Sequence, residues 1–390
     1  MTIFYPVPER LNGTQARFIQ IVNTAYALSK KGVNVKLISG KIPGLNQADV
    51  LSSFGITPTG SLELVFLPII RKSWFLSISI SALFYLTLAC YLLRRKGSNR
   101  VIVVRHPKLA GFLLTFKGLF KMPVVFEAHE IFHLSTEKLS AKAALKRLEA
   151  KIYSKSDAII TISDKLRDDI NSIFDFTGNP CHTVPDAVRD DFFLSETDAV
   201  RRSFLFYSGS LYKWKGVDLL IEALMHLPDE TLVIAGGGGR LDELKRFVKL
   251  LGLSERVTFT GHIPHVKITK LLKDAKLSFI PNVQSEISKY TSPLKMFEYM
   301  AGGVPIVAAD LPGISELLRH RHSAMLFTPG DLHDLVKKTQ TLLNDEALAS
   351  LLAENARELA RSHTYEKRAG RIIDFITRIF YNHDSIAHDE

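Results

Sequence analysis

Cysteine is scarce in this 390-residue sequence: Cys90 and Cys181 are the only two. That excludes a disulfide framework, and the absence of any Cys-x-x-Cys pair argues against a metal knuckle, so a reducing compartment is expected. There is no low-complexity tract and no short-period repeat. The opening residues, Met1-Thr2-Ile3-Phe4-Tyr5, read as a strand without the basic region and apolar core of a signal peptide, which makes a cytoplasmic location the expectation. Acidic residues are missing from one long stretch. None lies between Glu63 and Glu127, where Arg71, Lys72, Arg94, Arg95, Lys96, Arg100, Arg105, Lys108, Lys117 and Lys121 supply ten positive charges, equal to the chain's net charge of +10. Such a segment suits nucleic acid or anionic lipid. The apolar residues between its charges favour an anionic membrane surface along 71–121, peripheral on the inner leaflet, and no nucleic acid is expected as a partner.

Charge is also absent from 74–93, a run of 20 residues flanked by Arg71-Lys72 and Arg94-Arg95-Lys96. As a helix it is about 30 Å long, enough to cross a bilayer. It carries Ser77, Ser79, Ser81 and Thr87, and basic residues at both ends give no orientation signal. It also falls between two expected strands, 62–68 and 100–105, where a parallel sheet requires a crossover helix. The crossover is the better reading.

What is present is strand–helix alternation nearly throughout, with 46% hydrophobic residues to bury. It predicts an α/β protein of two Rossmann-like, doubly wound domains facing across a cleft. The first runs over 1–188, with strands at 2–6, 33–39, 101–104, 123–127 and 158–162 and a helix over 15–31 whose Phe18, Ile21, Val22, Ala25 and Leu28 share a face. A polar, acidic linker over 189–202 follows, then a second series over 203–364, and a C-terminal helix within 365–390 expected to return to the first domain.

Four segments carry candidate chemistry. After the strand ending near Tyr207, Ser208-Gly209-Ser210 turns into a basic loop with Lys213 and Lys215, either of which suits a phosphate near the next helix N-terminus. Ala235 runs into Gly236, Gly237, Gly238 and Gly239, a loop that lets a nucleotide approach the backbone but fails the dinucleotide fingerprint at Leu241. The run Thr291, Ser292, Pro293, Leu294, Lys295 starts a helix in which Ser292 is the expected cap, Pro293 the first residue, and Gly302 or Gly303 the end. Its free N–H groups form an anion site for a diphosphate, and Glu298, one turn after Lys295, is placed to bind ribose hydroxyls or to form an i,i+3 ion pair. In the first domain, Glu127 and His129 share a face at the end of a strand, where the imidazole can orient a hydroxyl. Gly13, in a turn before the first helix, is placed at the cleft rim.

These segments, with the Lys215-Gly216 turn, Phe259-Thr260-Gly261-His262, Ile160-Thr161-Ile162-Ser163 and the 292–307 block in order, resemble the retaining GT-B glycosyltransferases of family four over nearly the whole chain. The resemblance implies a nucleotide-sugar donor bound in the C-terminal domain, with Lys215 near the diphosphate and Glu298 on the ribose. Ser208, Gly209, Lys213, Gly236, Gly237, His262, Thr291, Ser292, Pro293, Leu294 and Lys295 line that site, and Gly13 faces it. It also implies an acceptor site with Glu127 and Arg105, and His129 near the reacting sugar. Two positions depart from the pattern: Ser210 stands where many members have Arg, and Tyr290 where many have a Glu eight residues before Glu298. Backbone donors at 291–294 and Lys295 are expected to serve instead. Helix dipoles and lysines can stabilise the departing diphosphate without a metal, and no Asp-x-Asp ends a strand. No metal and no cofactor are therefore expected. The transfer is expected to retain configuration, toward a lipid-linked glycan, glycolipid or polysaccharide acceptor. A nucleotide-sugar epimerase of the same fold and a non-catalytic sugar-nucleotide-binding protein at the membrane are the alternatives.

Overall fold

The computed structural model describes residues 1–11, 15–69, 82–136, 138–176, 178–194, 203–290 and 292–381. The chain forms two compact units, Met1–Pro185 joined by the segment from Tyr365 onward, and Asp186–Thr364.

The first unit holds seven strands: β1 Thr2–Pro6, β2 Asn34–Gly40, β3 Leu62–Leu67, β4 Arg100–Val104, β5 Val124–Ala128, β6 Ala158–Thr161 and β7 Cys181–Thr183. They lie in the order β3-β2-β1-β4-β5-β6-β7, and every neighbouring pair is parallel. Central strands such as RVIVV and VVFEA are buried almost throughout because helices cover both faces of a parallel sheet. The helix Ala16–Lys30 buries Phe18, Ile21, Val22, Ala25 and Leu28, the face its periodicity predicts, and Gly32 at φ +82° turns the chain into β2. Ser163 caps the helix Asp164–Phe174 by accepting a bond of 3.1 Å from the Leu166 N–H.

The run expected as a crossover is partly described. Its second part is the helix Ala82–Leu93, while residues 74–81 lie outside the described residues. β3 and β4, on either side, belong to the same sheet. Among the described residues no helix is long and apolar enough to cross a membrane. The C-terminal helix Tyr365–Phe380 packs in this unit against Ala16–Lys30 and buries Arg368, Ala369, Ile372, Phe375 and Ile376 at helical spacing.

The second unit holds β8 Phe204–Ser208, β9 Leu232–Ala235, β10 Val257–Gly261, β11 Ala275–Ile280, β12 Ile306–Ala309 and β13 Met325–Phe327. Their order is β10-β9-β8-β11-β12-β13, again with every pair parallel. Of the linker expected at 189–202, residues 189–194 are described. They contain a short 3-10 turn, Asp190–Phe192, whose Phe192 is buried in the core of the second unit. In both sheets the chain reverses its direction of growth beside the first strand, at β1/β4 and at β8/β11. Beyond the carboxyl ends of such strand pairs the backbones diverge and leave room for a ligand.

Candidate functional site

In the second unit the loops at the β8/β11 reversal are pressed together by missing side chains. Gly236, after β9, touches the turn after β8: a Cβ there would lie 1.9 Å from the Gly209 carbonyl oxygen. Gly216 adopts φ +65°, and a Cβ on it would lie 1.9 Å from the carbonyl oxygen of Pro281, just past β11. The Val283 N–H donates to the Trp214 carbonyl at 3.0 Å and fastens the same two loops. A Cβ on Gly237 would meet the His262 ring at 2.7 Å. Ser208, Gly209, Gly236, Gly237 and His262 are thus brought to one end of this sheet.

Two lysines enter this region, and neither forms an ion pair among the described residues. Lys215 is 8% exposed, with its ammonium 3.8 Å from the Trp214 ring centre, and burial pulls its pKa from 10.5 to about 7. Lys213, two residues earlier, is exposed. Of the two candidates, Lys215 is the one held inside. Lys295 is 6% exposed, lies 3.6 Å from the Tyr207 ring centre, and makes no hydrogen bond among the described residues. Its ammonium is 3.3 Å from where a Gly209 Cβ would be, so the missing side chain makes room for it beside Ser210. Burial holds its pKa well below the ordinary lysine value, the Lys215 charge lowers it further, and Glu298 opposes both. A buried cation without an acceptor is unfavourable unless something else supplies one.

The helix expected to start at Pro293 is Leu294–Ala301, with Pro293 itself at the N-cap. Ser292 therefore sits one residue too early to reach the first N–H groups. It caps nothing, and its buried hydroxyl has no hydrogen-bond partner among the described residues. Gly302 ends the helix and Gly303 turns at φ +63°. The expected pairing of Lys295 with Glu298 does not form an ion pair. Glu298 Oε1 instead lies 2.7 Å from His265 Nε2, and Oε2 carries no hydrogen bond among the described residues. Burial disfavours a charged His265, but the charge and hydrogen bond of Glu298 outweigh it and raise the His265 pKa. Phe192 packs on the same imidazole, ring centres 4.9 Å apart. Asn282, between the two residues that grip the Trp214–Gly216 loop, is fully buried, and neither side-chain amide atom is hydrogen-bonded among the described residues. Gly13 and Thr291 lie outside the described residues.

In the first unit the β1/β4 reversal gathers a second set. The Tyr5 hydroxyl donates to Glu127 Oε2 at 2.5 Å, and His129 Nε2 lies 2.8 Å from Glu127 Oε1. Arg368, from the C-terminal helix and 1% exposed, donates to Glu127 Oε1 at 2.5 Å and to the carbonyls of Val184 and Pro185. Burial alone would raise the Glu127 pKa, but the Arg368 charge and His129 hold it well below the usual carboxylate range. His129 is pulled down to about 3, chiefly by burial and then by Arg105, against the pull of Glu127. Arg105, just past β4, donates to the Gln20 side chain. Of the three residues assigned from sequence, Glu127 and His129 are hydrogen-bonded, and the Arg105 charge reaches both.

Sequence reading missed Tyr5, Arg368, His265, Asn282 and Tyr207. Their signal is tertiary, because each acquires its place from a strand or helix distant in the chain. Among the described residues, no three His, Cys, Asp or Glu side chains cluster as a metal site would.

Comparison with known proteins bears on the fold and the family. Residues 19–192 match the family model described as Glycosyltransferase Family 4, and residues 189–359 match Glycosyl transferases group 1. An alpha-D-kanosaminyltransferase from Streptomyces kanamyceticus is 26% identical over 259 residues, 61% of this chain and 66% of that protein. Among solved structures, sucrose-phosphate synthase from Thermosynechococcus elongatus superposes with a TM-score of 0.80 at 18% identity, over 97% of this chain and 99% of the other. Anabaena HepE, crystallised with UDP-glucose, superposes with a TM-score of 0.74 at 18% identity, over 97% of this chain and all of that one.

Proposed function

Because the chain belongs to the group 1 glycosyltransferases of the GT-B type, we propose that its second unit binds a nucleoside-diphosphate sugar and that its first unit presents the acceptor hydroxyl. One observation carries the reading: two buried lysines, Lys295 beside Gly209 and Lys215 close enough for its charge to be felt there, have no hydrogen-bonded counter-ion among the described residues. A diphosphate is the ligand that satisfies them. The free N–H groups at the start of Leu294–Ala301 add donors and a favourable dipole. Gly209, Gly236 and Gly237 let the loops and the Lys295 ammonium pack closely where the phosphates would bind, while the unbonded Oε2 of Glu298 accepts from ribose hydroxyls. The crystallised neighbour with UDP-glucose supports a donor of this class.

The chemistry follows from charge. As the anomeric C–O bond breaks, negative charge grows on the diphosphate, and fixed cations already in place stabilise it without reorganising. We propose transfer with retention, in which the departing phosphate takes the acceptor proton on the same face and no metal takes part. Anomeric configuration of the product by NMR, and activity in excess chelator, test these two points. Transfer from labelled nucleotide sugars tests the site: Lys215→Ala and Glu298→Ala at wild-type rates would overturn it. Epimer formation from donor alone would favour the epimerase reading instead.

We propose a membrane-proximal acceptor, a lipid-linked glycan or glycolipid, at an anionic leaflet. Exposed Leu86 and Cys90 lie on Ala82–Leu93, which packs against Lys117–Phe120 with its exposed Leu119. The rings of Tyr85, Phe112 and Phe116 follow one another at 5.1 Å. Arg94, Arg95, Lys96 and Lys121 are exposed around them. The helix Leu139–Lys155 extends the basic surface past residue 121: its exposed charged residues are Lys142, Lys146, Arg147 and Lys155, and its one acid, Glu149, is buried against His133. Apolar side chains ringed by cations suit an interfacial surface.

A further inference from the structure

His129 is held by a group that can only accept. The Glu127 carboxyl is ionised, since Arg368, His129 and the Tyr5 hydroxyl all bond to it. The proton in the 2.8 Å contact must therefore sit on His129 Nε2. With His129 neutral, Nδ1 keeps its lone pair, and it makes no hydrogen bond among the described residues. We infer that Arg368 and Tyr5 are positioning residues, which fix His129 through Glu127 as the Nε2–H tautomer so that Nδ1 accepts a hydrogen bond from a sugar hydroxyl. The inference rests on the proposed glycosyl transfer only for the identity of that hydroxyl.

Each neighbour of the carboxylate has one geometric task. Arg368 fixes Glu127 from the C-terminal helix, anchored at the same time to the Val184 and Pro185 carbonyls and to Thr24 Oγ1 at 3.3 Å. Tyr5, from β1, occupies Oε2 and leaves Oε1 to His129 and Arg368. The charged groups facing the imidazole are Arg105 from the end of β4, Glu127 from its own strand and Arg368 from the helix. Two cations against one anion keep a proton off Nδ1. Without Arg368 the balance becomes one against one, and the carboxylate attracts a second proton to the ring. Nδ1 then becomes a donor and cannot accept from a hydroxyl. Arg368 belongs to the segment that returns to this unit after the chain has passed through the second one.

The experiment is long-range ¹H–¹⁵N NMR of the histidine-labelled full chain between pH 3 and 8, with His129 identified by its loss in His129→Gln. The wild type is expected to show a protonated Nε2 and an unprotonated Nδ1 down to about pH 4. In Arg368→Met the His129 titration moves up by at least about one pH unit, while the transfer rate falls and the KM for donor changes by less than about threefold; Arg368→Lys restores part of the rate. Tyr5→Phe moves the titration in the same direction by less, and carries the test alone if Arg368→Met does not fold. A proton on Nδ1 in the wild type, or a titration unchanged in both variants, overturns the inference. The NMR signature needs no turnover, so a chain that shows it yet transfers no sugar counts against the proposed function and not against this assignment.

Discussion

Replacing Lys215 with Met removes a charge that the folded protein holds at a disadvantage. Burial lowers the Lys215 pKa from 10.5 to about 7, and that shift corresponds to an unfavourable term of about 5 kcal/mol at neutral pH. The Trp214 ring beside the ammonium is already part of the balance, worth about 1–2 kcal/mol that Met recovers only in part through packing. Lys215→Met is therefore expected to stabilise the ligand-free protein by about 3 kcal/mol at pH 7, or roughly 6–12 °C in the unfolding of the second unit. The sign with pH is fixed by linkage. Between pH 7 and 10.5 the unfolded chain carries a proton on Lys215 that the folded chain has released, so wild-type stability rises with pH across that window. The advantage of the variant is complete at pH 7 and below and fades toward 10.5.

A diphosphate reverses the ranking. Bound between Lys215 and Lys295 it restores their charge, so binding takes up protons. At pH 8, where the phosphates are already fully ionised, calorimetry in buffers of different ionisation enthalpy should give an uptake of between about one and two protons per UDP, and one fewer in Lys215→Met. Unfolding with and without UDP at pH 7, 8 and 9 completes the assay. The reasoning fails if Lys215→Met is no more stable than wild type at pH 7, if its advantage grows with pH, or if UDP binds with no proton uptake.

Gly216→Ala should destabilise the second unit by about 2–4 kcal/mol, because its Cβ meets the Pro281 carbonyl at 1.9 Å, whereas Gly252→Ala, at a similar φ of +70° with nothing within 4 Å, should cost about 1 kcal/mol in urea unfolding. Glu298→Gln should weaken donor binding about tenfold, a loss of about 1.4 kcal/mol. Since Glu298 raises the His265 pKa above 6.5, that bond stabilises the fold below the ordinary histidine pKa and is lost as pH rises through the raised one, so Glu298→Gln should destabilise more at pH 6 than at pH 9. His129→Ala should lower transfer by about 10²–10⁴ with UDP affinity nearly unchanged, measured by single-turnover transfer beside calorimetry. Leu86→Ser with Leu119→Ser should abolish flotation with anionic liposomes, and retained flotation would remove the membrane surface from the account.

The fold was legible because its signals are local. Thr2–Pro6, Ala16–Lys30 and Leu232–Ala235 each declare themselves by apolar spacing and by a terminating glycine or a turn. Of the candidate site, the positions were legible: His129 follows a strand, Lys295 starts a helix, and Lys215 and Lys295 are both buried, while their roles are those proposed above. The site was misread where one residue of register matters: Ser292 follows the capping rule in sequence, yet Pro293 takes the N-cap and leaves the hydroxyl unbonded. Partners were not legible. The i,i+3 spacing offers Lys295 to Glu298, but Glu298 lies with His265 and Lys295 lies over the Tyr207 ring, because β8 and the helix His265–Asp274 reach this region from elsewhere in the chain. No local pattern encodes which distant group arrives first.

The two units treat buried charge in opposite ways, and the contrast separates positioning from binding. In the first, Glu127 is matched internally by Arg368, His129 and Tyr5, so the carboxylate and the imidazole it orients are fixed before any substrate arrives. Only His129 Nδ1 is left to accept from a substrate. In the second, Lys215 and Lys295 are buried without a bonded anion, and Asn282 and Ser292 are buried with hydrogen-bonding atoms unused. Such groups are tolerated in a folded protein only when the remaining contacts over-determine them, and they return that strain as affinity when the missing partner binds. Donor binding and hydroxyl orientation should therefore respond differently to mutation. Changes at the lysines shift affinity and ligand-free stability in opposite directions, whereas changes at Glu127 or Arg368 weaken the fold and the rate together.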